Sequence, residues 1–463
     1  MSKGAASYQL DFAEKRAYSW LIREIFTNKP FILPDEIIML IQFTVGNYRS
    51  FKDPVTLSMV AANLTAKDKT LDENNTFAAT PKLRLLKSAA LYGANASGKS
   101  NLVKALKFMR DFVLNSSRDT QTGDLITVEP FRLSAETDGL PSFFEIEFLH
   151  KNQQYRYGFE VDAEKVHSEW LFYTPKSERK LFTREGDQFS LGKDFAEGKS
   201  FQEITRKNAL FLSVVAQFNG SLANAVLNWF FSLEIVSGIQ DTSLRSRSER
   251  ALSEEDSKPA LLSFMEEMDL GIEDFTFDTN ILKPNISDSL SRFPYLFRVL
   301  SEAFPTRGFV KTIHKKFDIE GNATATEIFD LDEHESEGTK KLFAFASLFQ
   351  SAMKIGQTVV IDELDARLHP LLTLSILQLF NNNIQKAQLI FTTHDTNLLS
   401  NKTFRRDQVW FTEKDKYGST DLYSLVEYKV RNDASYEKNY IAGKYGAIPF
   451  IGGLNLQGSF IDE

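Results

Sequence analysis

The hydrophobic pattern changes period several times along the chain, and each change marks an element. Residues 1–38 read as a mixed leader, amphipathic from Ser19 to Ile25 until Pro30 and Pro34 break the pattern. Alternation begins at Met39, where IQFTVGNYRSF predicts a strand and a turn, and Val55 to Val60 predicts a second strand. Thr65 to Thr80 is polar and reads as a loop. Lys87 to Tyr92 is a short apolar strand that runs directly into GANASGKS. Leu102, Ala105, Leu106 and Met109 then fall on one face of a helix over Lys99 to Val113.

From Ser142 to Tyr173 the period is two. FFEIEFL and YRYGFEV alternate about a polar turn at His150 to Gln154, and a further strand passes through Trp170 to Tyr173. Leu181 to Phe189 extends what reads as an antiparallel meander. From Asn208 to about Phe304 the spacing is mostly helical, interrupted by a charged stretch, Thr242 to Lys258, that reads as a loop. Sustained heptads are missing, which excludes a long coiled coil. Phe309 to Leu331 alternates again. After it come helix (Gly338 to Lys354), strand (Thr358 to Ile361), helix (Pro370 to Asn381) and strands at Gln388 to Thr392 and Gln408 to Phe411. Such alternation of elements implies a mainly parallel sheet covered by helices.

Composition narrows the class. A chain of 463 residues exceeds one ordinary core and implies a large domain with an insertion, or two domains. Hydrophobic content of 42% and charged content of 25% are those of a globular protein. With no cysteine there is no disulfide frame, thiolate metal site or cysteine nucleophile, in keeping with a reducing cytoplasm. No signal-like apolar core opens the chain, and no run approaches the roughly 20 apolar residues of a membrane helix, so a cytoplasmic location is expected. A net charge of −8 argues against coating nucleic acid through the overall field. Two basic clusters (Lys176, Arg179, Lys180, Arg184, Arg206, Lys207; and Arg245, Arg247, Arg250) read most simply as solvated charges.

Four motifs in fixed order carry the chemistry. GANASGKS fits the phosphate-loop pattern and sits between strand and helix, as that motif requires. Gly93, Ala94, Asn95, Ala96, Ser97, Gly98, Lys99, Ser100 and the following Asn101 are the candidate cradle. Its amides and helix dipole converge on phosphate. Lys99 is expected to reach the β- and γ-phosphates, and Ser100 to ligate Mg²⁺. TVVIDE is a strand of the doubly buried kind ending in two acids. Asp362 is the candidate metal ligand and Glu363 the candidate base for the attacking water.

An apolar strand, QLIFTT, ends in His394, where a histidine can hydrogen-bond a γ-phosphate. A lone histidine there is ordinarily incidental; its place in the series assigns the role. ESEGTKKL by itself reads as a helix N-cap. A helix start is also an anion site, so Ser336 with the Gly338 and Thr339 amides could bind γ-phosphate, most usefully that of a neighbouring copy. No NKxD element supports a Ras-like GTPase, and no separate carboxylate or histidine set supports a nuclease in the same chain.

These motifs, with PSFFEIEF, YRYGFEVD, EWLFY, VVIDELDARLHP and the late YIAGKYGAIP, resemble the RloA/AbiL-like abortive-infection ATPases. That is a bacterial phage-defence family with ABC-type heads of the OLD/SMC kind. The resemblance spans about Met39 to Pro449 and is least diagnostic over 220–305. It implies an α/β P-loop fold: a mainly parallel RecA-like sheet, an antiparallel β lobe and a helical insertion. The expected division is a leader (1–38), a head formed by 39–205 and 306–463, and an insertion (206–305). It further implies ATP and Mg²⁺, a homodimer or higher homo-oligomer that sandwiches nucleotide, Asp365 as the D-loop aspartate and Arg49 near the nucleotide. ESEGT stands in place of the commoner LSGGQ, and a lobe-coupling glutamine is expected at a position the motifs do not reveal. The implied role is a sensor subunit that controls a separate effector such as a nuclease, triggered by DNA or a phage protein. Two alternatives stand beside it: a repair-type ATPase binding DNA ends, and a slow-turnover ATP-dependent scaffold.

Overall fold

The computed structural model describes residues 38–64, 69–239, 242–278, 309–431 and 434–449. Of the leader only Ile38 is among them, and the expected helical stretch from 279 to 304 lies outside them.

The first part of the chain supplies β1 (Ile38–Gly46), β2 (Val55–Ser58), the hairpin β3 (Thr76–Thr80) and β4 (Leu83–Leu86), and β5 (Ser88–Tyr92). A meander follows: β6 (Ser142–His150), β7 (Gln153–Val161), β8 (Val166–Thr174), β9 (Arg179–Glu185) and β10 (Gln188–Leu191). It joins β1 and β2 in a seven-stranded antiparallel sheet of order β10-β9-β8-β7-β6-β1-β2. The period of two explains the layer, since Phe144, Ile146 and Phe148 are buried while Glu145 and Glu147 between them are part-exposed.

The later strands are β11 (Glu234–Ser237), β12 (Asp274–Asp278), β13 (Phe309–Phe317), β14 (Ala323–Asp330), β15 (Thr358–Asp362), β16 (Gln388–Thr392), β17 (Val409–Lys414) and β18 (Thr420–Ser424). A six-stranded sheet runs β11-β15-β16-β5-β17-β18, parallel throughout except for the β17–β18 hairpin. Its central strands are buried on both faces, which is why they read as unbroken apolar runs. Alternate residues serve two cores. Ala89, Leu91, Val360 and Ile390 pack with the helix Lys99–Asn115 and the antiparallel sheet. Ala90, Tyr92, Val359, Ile361 and Phe391 pack with the helices Glu337–Ile355 and Pro370–Asn382.

Four local expectations are corrected. Part of the polar stretch at Thr65 to Thr80 is the helix Lys69–Asn75 and strand β3. The charged stretch at Thr242 to Lys258 is helical over Thr242–Ser253, because its charges are partnered. Arg245 bonds Glu249 at 2.8 Å and also Asp332, Arg247 bonds Glu234 at 3.1 Å, and Leu244, Ala251 and Leu252 are buried. The mostly helical middle also contains β11 and β12, four and five residues long and too short to announce themselves by alternation. Arg184 is not solvated either. It is 1% exposed and donates to the carbonyls of Ala209 (2.7 Å) and Gly186 (2.8 Å) beside buried Glu169.

Candidate nucleotide site

The phosphate loop leaves the carboxyl end of β5 and becomes the helix Lys99–Asn115. Its two fixed glycines are dictated by backbone and space. Gly93 has φ 156° and Gly98 φ 116°. A Cβ on Gly93 would lie 2.5 Å from Ser97 Oγ, and one on Gly98 would lie 2.5 Å from Thr420 Oγ1. Lys99 is buried and folds back over the loop, its Nζ donating to the carbonyls of Gly93 (2.7 Å) and Ala94 (3.1 Å). Burial lowers its pKa, while Asp362, Glu363 and Asp365 nearby pull it back up.

The acids meet the loop from β15. Ser100 Oγ donates to Asp362 Oδ1 at 3.0 Å, and Thr392 Oγ1 donates to the same oxygen at 2.7 Å. Thr392 Oγ1 also accepts the Glu363 N–H at 2.7 Å. One hydroxyl at the end of β16 therefore fixes both acids. Glu363 (φ 58°) and Arg367 (φ 63°) adopt left-handed backbone. Such conformations cost on the order of 1–3 kcal/mol and persist where the surroundings over-determine them. Gly238, just past β11, is part of that constraint. Its N–H donates to Asp362 O at 2.6 Å, and a Cβ there would lie 2.0 Å from Glu363 O.

His394 follows β16. Its backbone N–H donates to Asp365 Oδ2 at 3.3 Å, while Asp365 Oδ1 is buried without a hydrogen-bond partner among the described residues. Desolvation first, then the Lys99 ammonium, lowers the imidazole pKa, against the pull of Asp365, Glu363 and Asp362. The loop, Lys99, Ser100, Asp362, Glu363, Asp365 and His394 thus gather at the carboxyl ends of β5, β15 and β16, where parallel sheets place ligands.

Arg49 arrives on the turn after β1. It pairs with Glu129 at 2.5 Å and lines, with Lys104, Arg367 and Asp362, a cleft of about 1180 Å³. Its neighbour Ser50 ties the turn to the loop. Asn101 Nδ2 donates to Ser50 Oγ at 2.8 Å, and Thr420 Oγ1 reaches both Ser50 Oγ and Ser97 O at 2.8 Å.

The ESEGT turn stands apart. Ser336 caps the 19-residue helix Glu337–Ile355, accepting the Thr339 N–H at 3.1 Å, and is exposed. Among the described residues no hydrogen bond ties Ser336, Gly338 or Thr339 to the phosphate loop. The helix reaches the acids by another route. Buried Lys341 donates to the carbonyls of Leu364 (2.8 Å) and Ala366 (2.6 Å), and Glu337 pairs with Arg367 at 3.3 Å.

Lys341, Gly238, Thr392, Ser50 and Thr420 escaped the sequence reading. Thr392, Ser50 and Lys341 lie inside TTHD, IQFTVGNYRSF and ESEGTKKL, but those motifs were read for other residues; Gly238 and Thr420 carried no signal.

The donor set suits a nucleotide with Mg²⁺. Among the described residues no three His, Cys, Asp or Glu side chains form a cage that would hold a metal alone. Mg²⁺ is commonly held by one or two protein oxygens together with substrate phosphates and water, which Ser100 Oγ and Asp362 Oδ1 can supply.

Residues 88–400 match the family model described as "AAA domain, putative AbiEii toxin, Type IV TA system", more than half of the chain. The chain belongs to this AAA family. It therefore carries an AAA-type P-loop ATPase domain, with the phosphate loop, both acids and His394 inside the matched stretch. No curated protein matches the chain. Among solved structures, the AAA chain is similar to an SMC head domain from Thermotoga maritima (13% identity, 83% of this chain and 98% of that one, TM-score 0.40). It is also similar to an SMC head bound to the C-winged helix domain of ScpA (12%, 86% and 99%, TM-score 0.44). Among the described residues no helix is long and apolar enough to cross a membrane.

Proposed function

We propose that this AAA-family protein binds and hydrolyses ATP with Mg²⁺, and that its working unit is a dimer closed around nucleotide. The observation that carries hydrolysis is the shared anchor of the acids: Ser100 and Thr392 both bond Asp362, and Thr392 holds the backbone of Glu363. Lys99 leaves its carbonyl contacts to bind the β- and γ-phosphates of the substrate. Ser100 and Asp362 hold Mg²⁺, which when bound neutralises charge developing on those phosphates. Glu363 takes the proton of the attacking water, and His394, driven toward its neutral form, meets the terminal phosphate.

Exposure of Ser336, away from its own phosphate loop, supports the trans role of ESEGT with Gly338 and Thr339. The bonds from Lys341 to the loop that carries Asp365 supply a mechanical link between a partner-facing helix and the catalytic acids. We take Gln240 as the lobe-coupling glutamine, because in sequence it follows β11, whose end meets Asp362; Gln240 itself lies outside the described residues. Control of a separate effector in phage defence is supported by the resemblance and by the family's toxin–antitoxin description.

The test uses two variants. Glu363→Gln abolishes turnover yet accumulates an ATP-bound dimer, since it removes the base and leaves phosphate binding intact. Ser336→Arg binds nucleotide as a monomer and does not pair. A Glu363→Gln protein that stays monomeric with ATP and Mg²⁺, while wild type hydrolyses, excludes the closed dimer.

A further inference from the structure

The motif YIAGKYGAIP has no part in the chemistry above. It continues the short helix Tyr436–Ile441 into a turn through Gly443 (φ 73°) and Gly446 (φ 66°) and on to Pro449. An aromatic cluster pins it to the nucleotide site. Tyr440 lies 5.9 Å from Tyr92, the residue before the phosphate loop, and stacks on Phe411 at 5.4 Å. Tyr440 Oη donates to Ala447 O at 3.0 Å, and the hydroxyls of Tyr423 and Tyr428 converge on Tyr445 O at 2.8 and 3.2 Å. Held in this way, the turn walls a cleft of about 870 Å³ whose other side is Gly93–Ser97, with His394 also lining it.

Which end of the substrate this cleft receives follows from His394, which lines it and which the reading above sets against the terminal phosphate. The glycine turn lies across the cleft from the phosphate loop.

We propose that the Gly443–Pro449 turn is the outer wall of the terminal-phosphate pocket and makes the site distinguish a nucleoside triphosphate from a diphosphate, which rests on the nucleotide reading above. A diphosphate leaves the cleft to water; the third phosphate enters it and contacts the turn. The wall is held by ring packing and by hydrogen bonds to its carbonyls, and Glu413 and Lys414 also line the cleft that it closes.

Hydrogen exchange on the full chain with Mg²⁺ and either ADP or a non-hydrolysable ATP analogue tests this. The amides of 440–448 are expected to be protected at least fivefold more by the analogue than by ADP. In Gly446→Val a Cβ would lie 2.5 Å from Glu413 Oε2 and 2.8 Å from Tyr423 Oη, which dislodges the turn without touching the loop. Its affinity for the analogue should fall at least fivefold, with ADP affinity within twofold. Should that variant not fold, Ile448→Ala, at a side chain 37% exposed, carries the same expectation. Wild-type protein that binds neither nucleotide overturns the nucleotide reading and the wall with it. Binding of both with equal protection, or equal weakening of both by the variant, overturns the wall alone.

Discussion

Gly238→Ala isolates the link between the edge strand and the two acids proposed for catalysis. The added methyl would lie 2.0 Å from Glu363 O and 3.0 Å from Asp362 O. An ordinary carbon–oxygen contact is about 3.3 Å, so roughly 1.3 Å must be found against the 2.0 Å available. There are two ways to find it. β11 is the edge of the sheet and can swing out, breaking the bond from Gly238 N–H to Asp362 O and costing about 1 kcal/mol. Alternatively the Asp362–Leu364 loop shifts, and misplacing a catalytic group by about 1 Å costs on the order of 100-fold in rate.

Both routes remove a constraint on Glu363, so kcat for phosphate release should fall about 10- to 100-fold. ADP affinity should stay within about threefold, because the phosphate loop hangs from β5, two strands away from β15. The assay pairs steady-state phosphate release with equilibrium binding of a fluorescent ADP. Ile239→Ala, at an exposed neighbour, serves as the control. A folded Gly238→Ala protein with kcat within twofold of wild type would refute the role given to this close approach.

Two further outcomes are expected. Lys341→Met leaves the carbonyls of Leu364 and Ala366 unsatisfied, destabilising the protein by about 1–3 kcal/mol and lowering ATPase activity while ADP still binds; thermal unfolding and titration separate the two effects. The depressed pKa of His394 means that the unfolded chain takes up its proton first as pH falls. The His394 contribution to the stability of nucleotide-free protein is therefore fully present above the ordinary value of 6.5 and lost as pH drops from there through the lowered folded value. His394→Gln should flatten that loss, and a denaturant series at several pH values checks it.

The order of motifs was legible because phosphate chemistry demands particular residues at particular spacings. GANASGKS, the two acids and His394 announce themselves, and the unbroken apolar runs of β15 and β16 announce a sheet buried on both faces. The period of two likewise placed the antiparallel meander. Errors fell where a local pattern was overridden by distant partners. Arg245 and Arg247 look solvated until Asp332, remote in sequence, and Glu234, on the preceding strand β11, are brought beside them.

The amino-acid order alone determined what could touch a phosphate and in which register along the chain. Only the tertiary structure decided what holds those groups still: Thr392 between the acids, Gly238 against the Glu363 carbonyl, Lys341 beneath the Asp365 loop, and the Tyr440 turn over Gly93. Local spacing cannot reveal such contacts, because each joins residues about 20 to 350 positions apart through packing, with no periodicity to mark it.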